Sequence, residues 1–153
     1  MTSRESREML RTLMTAMNKE LKELKKNMGK LILPDFPGYA VTCCEDGSCK
    51  LMPISADNSQ EFEKLSVAGG WFKYQNDKYA NWMDVSKNPH PDKKNDLICW
   101  KESDAHGRKK NQQFKIEGDY IKTYNGYLYC LGPNLKIISS NNLKIKVIWQ
   151  PLS

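Results

Sequence analysis

Four side chains in the middle of this 153-residue chain have the chemistry needed to hold a ligand rich in hydroxyl groups. They are Asp84, Trp100 and the adjacent pair Asn111 and Gln112. A carboxylate accepts hydrogen bonds from hydroxyls, carboxamides both donate and accept, and an indole ring packs against C–H groups. A saccharide presents both kinds of surface, so this set is typical of a carbohydrate-binding site.

The segments that carry these residues have the pattern of short β-strands. Apolar or alternating runs are bounded by Gly, Pro, Asn and Asp, and no long helical pattern separates them after residue 29. The sequence therefore predicts an all-β domain over residues 30–153. The predicted strands lie at residues 30–33, 39–42, 71–74, 96–100, 120–123 and 144–149.

An internal repeat divides this domain into three parts. The tripeptides ending at Phe62 and Phe114 share the pattern Gln-x-Phe, and Val-Ile-Trp ending at Trp149 occupies the third position. These motifs close three diverged units at residues 30–62, 63–114 and 115–153. Three four-strand units fit a β-trefoil, which leaves no sheet edge open.

The two Gln-x-Phe motifs and the final Val-Ile-Trp-Gln-Pro-Leu resemble the Gln-x-Trp repeats of the ricin-type β-trefoil lectin family. The resemblance covers residues 30–153 and is strongest in the middle unit. It implies that Phe62, Phe114 and Trp149 fill the core, and that each Gln amide binds backbone groups beneath its aromatic ring.

The resemblance also implies a role for each candidate site residue. Asp84 would accept bonds from two sugar hydroxyls, Trp100 would stack on the ring, and Asn111 and, less directly, Gln112 would complete the polar set. Galactose or N-acetylgalactosamine is the implied ligand.

Two further residues bear on this site. Ile98 stands where family members often place Gln, which removes a polar contact and leaves the sugar identity open. His106, in the loop at residues 103–110, would overhang the site and could touch a ligand, although an exposed loop histidine is the simpler interpretation.

The other two units lack this set. In the first, the segment at residues 43–49 stands where the Asp should be, Met52 takes the aromatic position, and Ser59 replaces Asn. In the third, Gly132 replaces the Asp and the loop is too short to form a rim. We expect one sugar site per chain.

A helix precedes the β domain, over residues 1–29. Thr2-x-x-Glu5 has the pattern of a capping box, and Gly29 has the position of a C′ residue. Apolar residues between them follow spacings of 4, 3, 4, 3 and 4, which is a heptad seam. The seam comprises Leu10, Met14, Met17, Leu21, Leu24 and Met28.

We expect residues 3–28 to form a homo-oligomer through this seam, which would make the lectin multivalent. In a parallel pair, Glu20 and Lys25 could meet across the interface. Packing of the helix on its own domain and binding to an anionic membrane surface remain open alternatives. Membrane insertion is not expected, because no run of about 18 apolar residues exists.

The net charge is +6, and residues 1–30 hold eight basic and four acidic residues. The basic excess belongs mostly to the helix, so we do not expect nucleic-acid binding. The five cysteines are odd in number, and Cys44 and Cys49 could close a hairpin. With only His90 and His106 available as histidines, neither a metal site nor a cofactor is expected.

No phosphate-binding loop, Ser/His/Asp arrangement or paired-carboxylate motif indicates an enzyme. The absence of a signal peptide favours a cytoplasmic or non-classically secreted protein. The competing hypothesis is a β-trefoil that binds protein, such as a protease inhibitor, a cytokine-like ligand or a cytoskeletal cross-linker. Such a protein would not need Asp84, Trp100 and Asn111 together.

Overall fold

A computed structural model describes residues 2–87, 95–103 and 109–152. Within them, one α-helix, α1 (Ser3–Lys25), precedes twelve β-strands and three short 3₁₀ turns at Asn58–Gln60, Ala68–Gly70 and Lys109–Gln112. The strands are β1 (Met28–Ile32), β2 (Tyr39–Cys43), β3 (Cys49–Pro53), β4 (Phe62–Ser66), β5 (Trp71–Asn76), β6 (Trp82–Val85), β7 (Leu97–Trp100), β8 (Phe114–Glu117), β9 (Tyr120–Thr123), β10 (Gly126–Cys130), β11 (Ile137–Ser140) and β12 (Ile148–Pro151).

The strands form three four-strand units. The first and fourth strands of the three units pair with one another around the fold. The pairs are β1–β4, β4–β5, β5–β8, β8–β9 and β12–β1. The Val147 N–H donates to the Asp119 carbonyl at 2.8 Å beside the remaining junction. The second and third strands of each unit form a hairpin. This arrangement is a β-trefoil preceded by one helix, as predicted.

The three hairpins share one register. Their tips also contact one another around the threefold axis: the tip of each hairpin bridges to the third strand of the next. The equivalent cross-strand pairs are Ala40–Met52, Trp82–Trp100 and Tyr127–Ser140, and the bridges between hairpins are Ser48–Ile98, Asp96–Ile138 and Lys136–Lys50.

The aromatic residues of the repeat lie at the centre of the trefoil. Phe62 and Phe114 are fully buried, and Trp149 is partly buried against the core. Tyr74, which is also fully buried, packs edge-on against Phe114 and at a tilt against Trp149, with ring centroids 5.8 Å apart in both pairs. The predicted core positions are therefore confirmed, although Trp149 keeps part of its ring at the surface.

The helix is shorter than predicted. It begins with the capping box, in which Thr2 and Glu5 exchange two bonds of 3.2 Å, but it ends at Lys25 with Lys26 as the cap. Met28 lies in β1 opposite Glu63, so it is not a seam residue. Gly29 is not a helix cap either, because it lies in β1. A glycine is needed at this position since a Cβ would lie 2.6 Å from the Trp149 ring.

The apolar side of α1 is not covered by the trefoil. The described seam residues Leu10, Met14, Met17 and Leu21 are between 49% and 66% exposed. Folding of the helix back onto its own domain would bury them, so this alternative does not describe the structure. Among the described residues, no helix combines the length and apolarity needed to cross a membrane.

The cysteine pairing differs from the expected one. A disulfide joins Cys43 to Cys99, whereas Cys44 and Cys49 are free thiols. Cys43 and Cys49 face each other across the β2–β3 hairpin and both point into the core. Cys44 follows the end of β2 and is only partly buried, and no disulfide joins it to the buried Cys49.

We predict that peptide mapping of the unreduced protein recovers Cys43 linked to Cys99 and alkylates Cys44 readily. The bridge spans 56 residues, so Cys99→Ser should lower the free energy of unfolding by about 4 kcal/mol if chain entropy dominates. Cys44→Ser is the matched control and should change little. Recovery of a Cys44–Cys49 peptide instead would contradict this pairing.

Candidate functional site

The hairpin formed by β6 and β7 separates core residues from outward-facing ones. Cross-strand pairs point to the same face, and alternate residues point to opposite faces. The core face is buried throughout, and the outer face contains three of the predicted site residues. The core face holds Met83, Val85, Leu97 and Cys99, and the outer face holds Trp82, Asp84, Ile98 and Trp100.

Asp84 is held in place by Gln112. One N–H of the Gln112 amide donates to Asp84 Oδ2 at 2.9 Å, and the other donates to the Lys101 carbonyl at 2.8 Å. The Gln112 amide oxygen accepts from the Ser103 N–H at 3.1 Å. Both donors of this fully buried amide are therefore used within the protein. Gln112 therefore holds the Asp84 carboxylate in a fixed orientation.

Burial of the Asp84 carboxyl group disfavours its charged form. Asp84 is only 8% exposed, and burial raises its pKa above the ordinary carboxyl value. The Gln112 hydrogen bond and the positive charge of Lys87 act in the opposite direction but do not cancel the effect. Among the described residues, only one hydrogen bond reaches this carboxylate, at Oδ2. A desolvated carboxylate with an oxygen left to accept is a strong acceptor for ligand hydroxyl groups.

Trp100 provides an open apolar surface at the end of β7. Its side chain is 55% exposed, and it pairs across the hairpin with Trp82. Lys73 Nζ lies 4.2 Å from the centre of the Trp82 ring and forms a 2.9 Å ion pair with Glu102. Trp82 is not among the predicted site residues, although its position two residues before Asp84 places it on the same strand face.

Asn111 lies beside Gln112 in the 3₁₀ turn at Lys109–Gln112 and is almost fully buried. Its amide oxygen has no hydrogen-bond partner in the described part of the chain. An unpaired buried acceptor costs about 1–3 kcal/mol, which a donor from a ligand would recover. A ligand that reaches this atom must displace the side chains that cover it.

The remaining predicted residues contribute less. Ile98 lies directly opposite Asp84 on β7, so an aliphatic side chain borders the carboxylate. His106 lies outside the described residues. Tyr124, from the third unit, is a neighbour of Asp84 that sequence spacing does not reveal. Lys87 Nζ and Lys110 Nζ lie 5.1 and 5.8 Å from its ring centre. Burial and, to a smaller extent, the negative charge of Asp84 raise the pKa of its hydroxyl.

The first unit repeats the Gln arrangement without the carboxylate. Gln60 donates to the Pro53 carbonyl at 2.8 Å and to Thr42 Oγ1 at 3.1 Å, and its amide oxygen accepts from the Ser55 N–H at 3.0 Å. Thr42, rather than the segment that begins at Cys43, therefore holds the position of Asp84.

The third unit departs further from this arrangement. The shared register places Tyr129, rather than Gly132, at the carboxylate position. Ser140 stands at the position of Trp100, so this unit lacks both the carboxylate and the aromatic side chain at that position. Neither the first unit nor the third unit has the set of residues found around Asp84.

Three buried cysteines meet near the threefold axis. The sulfur atoms of Cys43, Cys49 and Cys99 lie within 4.8 Å of one another, a grouping able to hold a soft metal ion if all three were thiolates. The disulfide occupies two of them, and Cys49 Sγ lies 3.2 Å from Cys99 Sγ. Burial raises the pKa of the Cys49 thiol far above its ordinary value, so it stays protonated.

No protein-family profile matches the chain, and no curated protein sequence matches it. Solved structures resemble it in fold. A mosquitocidal holotoxin aligns over 82% of the chain and 17% of its own length at 12% identity with a TM-score of 0.67. The Polyporus squamosus lectin bound to a human-type influenza-binding epitope aligns over 82% and 49% at 12% identity and 0.63. The designed threefold-symmetric protein ThreeFoil aligns over 80% and 98% at 15% identity and 0.58.

These likenesses establish the class of fold, a β-trefoil found in lectins and toxins. The chain spans less than half the length of the lectin and about a sixth of the holotoxin. Identities of 12–15% carry no information on ligand or partner beyond the fold.

We predict that Asp84→Asn raises the free energy of unfolding at neutral pH. Because the folded protein binds the Asp84 proton more tightly than the unfolded chain does, the stability of the wild type falls as the pH rises through the raised pKa. The Asp84→Asn variant has no such loss of stability, and its side-chain oxygen can still accept the hydrogen bond from Gln112.

Urea unfolding at pH 7 and below about pH 3 tests this prediction, since the difference should become small where the wild-type carboxyl is mostly protonated in both the folded and the unfolded state. A less stable Asn variant at neutral pH would mean that the Gln112 bond to the charged carboxylate outweighs the cost of burial.

Proposed function

We propose that the protein binds carbohydrate at the outer face of the β6–β7 hairpin. The observation that carries this proposal is the pairing of a buried, amide-oriented carboxylate with an open aromatic surface on one strand face. Asp84 supplies the acceptor and Trp100 supplies the surface for sugar C–H groups. A protein-binding trefoil gains nothing from a desolvated carboxylate fixed in this way.

Galactose or N-acetylgalactosamine is the proposed sugar. The axial and equatorial hydroxyls on one edge of galactose can both donate to a single carboxylate, and the opposite ring face presents the C–H groups that pack on an indole. The structurally similar Polyporus squamosus lectin is bound to an epitope that contains galactose, which agrees with this choice. Ile98 beside Asp84 favours a sugar that places no polar group there.

The reaction class is binding without catalysis. Asp84 is the carboxylate of this site. Its described neighbours are the Gln112 amide, Ile98 and the Trp82–Trp100 pair, with Lys87 and Tyr124 within electrostatic reach. No nucleophile with an adjacent base occurs among these described residues.

The proposed function includes assembly through α1. One exposed sugar site binds weakly, because sugar and protein must both give up well-ordered water. Most of the stability of a helix in a protein comes from packing of its apolar face, and the exposed seam of α1 supplies the apolar surface that a second copy would cover. Linking sites in this way raises avidity by about 10²–10⁴ and would allow cross-linking of glycoconjugates.

The site is tested by calorimetric titration with galactose and N-acetylgalactosamine. Asp84→Asn should weaken binding at least about 100-fold, because two hydrogen bonds to a charged acceptor are lost. Trp100→Ala should weaken it by about 1–3 kcal/mol through lost stacking and burial.

Trp71→Ala is the matched control, since it removes a half-buried tryptophan from a different strand and should leave the affinity unchanged. Equal affinity of the Asp84→Asn variant and the wild type would remove Asp84 from the site. Absence of binding to any neutral glycan on an array, with the fold intact, would favour the protein-binding hypothesis.

Assembly is tested by light scattering and agglutination. Met14→Lys combined with Leu21→Lys places charge in the seam and should give monomers that keep their affinity for free sugar but lose agglutination. Thr12→Lys combined with Ala16→Lys adds the same charge to the outer side of α1 and should remain assembled. A wild-type protein that is monomeric at tens of micromolar would contradict the proposed assembly.

A further inference from the structure

Three cysteines from two units converge where the tip of the first hairpin meets β7. Cys43 and Cys49 are register partners in the β2–β3 hairpin, and Cys99 lies on β7 of the next unit. Their sulfur atoms lie within 4.8 Å of one another, and each side chain is at most 2% exposed. In the described part of the chain, no histidine, aspartate or glutamate comes as close to all three sulfurs. The group therefore offers a ligand three sulfur atoms inside the core.

Main-chain hydrogen bonds hold the segments that carry these sulfurs. The Cys99 N–H donates to the Gly47 carbonyl at 2.8 Å, which joins the tip of the first hairpin to β7. The Cys44 N–H donates to the Ser48 carbonyl, also at 2.8 Å, which closes the turn between Cys43 and Cys49. These bonds do not depend on the Cys43–Cys99 disulfide. We therefore expect the three sulfurs to remain together when the disulfide is reduced.

The packing of the trefoil does not explain why three sulfurs meet here. In the shared register of the hairpins, aliphatic side chains fill most of the corresponding core positions in the other two units. The equivalent residues are Leu97 and Ile137 for Cys49, Val85 and Cys130 for Cys43, and Leu51 and Ser139 for Cys99. The convergence of three sulfurs is thus a feature that the first unit and its neighbour add to the common core.

Reduction of the disulfide makes all three sulfurs available as thiols. A phosphine supplies the two electrons and becomes a phosphine oxide by taking the oxygen of one water molecule. The two hydrogens of that water go to Cys43 and Cys99, whereas Cys49 is a thiol already. Sulfur is a soft ligand, so the reduced group selects thiophilic ions.

The buried position favours an ion whose complex with three sulfurs carries no net charge. Three thiolates leave two negative charges around a monovalent ion and one around a divalent ion, and an unpaired charge in a core is costly. The negative charges of Asp46 and Asp84 act at Cys49 and oppose a further negative charge there. A trivalent ion gives a neutral complex. Trivalent arsenic and antimony combine this charge with a preference for sulfur.

We propose that the reduced protein binds one trivalent metalloid ion between the sulfur atoms of Cys43, Cys49 and Cys99. With arsenous acid, three arsenic–sulfur bonds form and three arsenic–oxygen bonds break. Each hydroxyl group leaves with one thiol hydrogen as water, and arsenic keeps its oxidation state. The disulfide and the bound metalloid exclude each other, so the site opens only under reducing conditions. It is independent of the proposed sugar site, because Cys99 and Asp84 face opposite sides of their hairpin.

The test uses the full-length protein, reduced with a phosphine that is then removed under argon, and arsenous acid as the probe. Native mass spectrometry should show one added arsenic and the loss of three hydrogens, the mass expected of three arsenic–sulfur bonds. A complex held by only two thiols keeps a hydroxyl group and differs in mass. Bound arsenic should also raise the unfolding temperature of the reduced protein, since it binds the folded state. The unreduced protein should not form the three-thiol complex.

Variants assign the three sulfurs. Cys99→Ser and Cys49→Ala should each weaken binding at least about tenfold, a loss typical even of outer contacts to a metal ligand. The fold has a serine, Ser139, at the position equivalent to Cys99. Cys44→Ser is the matched control, because it removes a partly buried thiol beside Cys43 and should leave the affinity unchanged. If circular dichroism shows that one variant has lost its fold, the other decides.

Four results would overturn the proposal. One is the absence of a complex that has lost three hydrogens. Another is unchanged affinity in Cys99→Ser, which would mean that the local segment with Cys43, Cys44 and Cys49 binds arsenic by itself. Equal or tighter binding of cadmium, the divalent probe, would contradict selection for a neutral complex. Finally, if the reduced wild type is unfolded, arsenous acid should restore its fold, and failure to do so would exclude a site built by the folded core.

Discussion

The arrangement of this trefoil depends on one constraint: a buried carboxamide must have its hydrogen bonds satisfied within the protein. Gln112 meets this requirement by bonding two backbone groups of the segment that follows β7 and the carboxylate on β6. The same amide thus ties the 3₁₀ turn before β8 to the hairpin and sets the direction of Asp84. Removal of the amide would leave the Ser103 N–H and the Lys101 carbonyl without this hydrogen-bond partner. The Asp84 carboxylate would also lose the bond that orients it.

The three units differ in the side chains around their hairpins, and these differences show which of them the fold requires. Gln60 makes equivalent backbone bonds in the first unit, where Thr42 takes the place of Asp84, so the scaffold tolerates a neutral partner there. The third unit has Val147 in place of Gln and keeps its strand pairing. The carboxylate is therefore not required by the fold. It adds a desolvation cost in one unit only, which is expected of a group retained for binding.

The sequence is most informative where structure follows from local pattern. The Gln-x-Phe motifs predict core positions because ring and amide lie two residues apart in one segment. Contacts set by the threefold packing were not predictable. Cys43 meets Cys99 because two hairpin tips converge. Met28 belongs to β1 rather than to the helix because β1 pairs with both β4 and β12.

Pairing of the first strand with the last also has a consequence for synthesis. Gly29 lies opposite Pro151, so the barrel cannot close until residues 148–151 have been translated. At about 5–20 residues per second, α1 and β1 precede β12 by roughly 6–25 seconds. During that interval the apolar side of the helix is already available to nascent or finished copies, while the trefoil is still incomplete. Order of emergence from the ribosome thus gives the proposed association of the helix a head start over closure of the domain that it precedes.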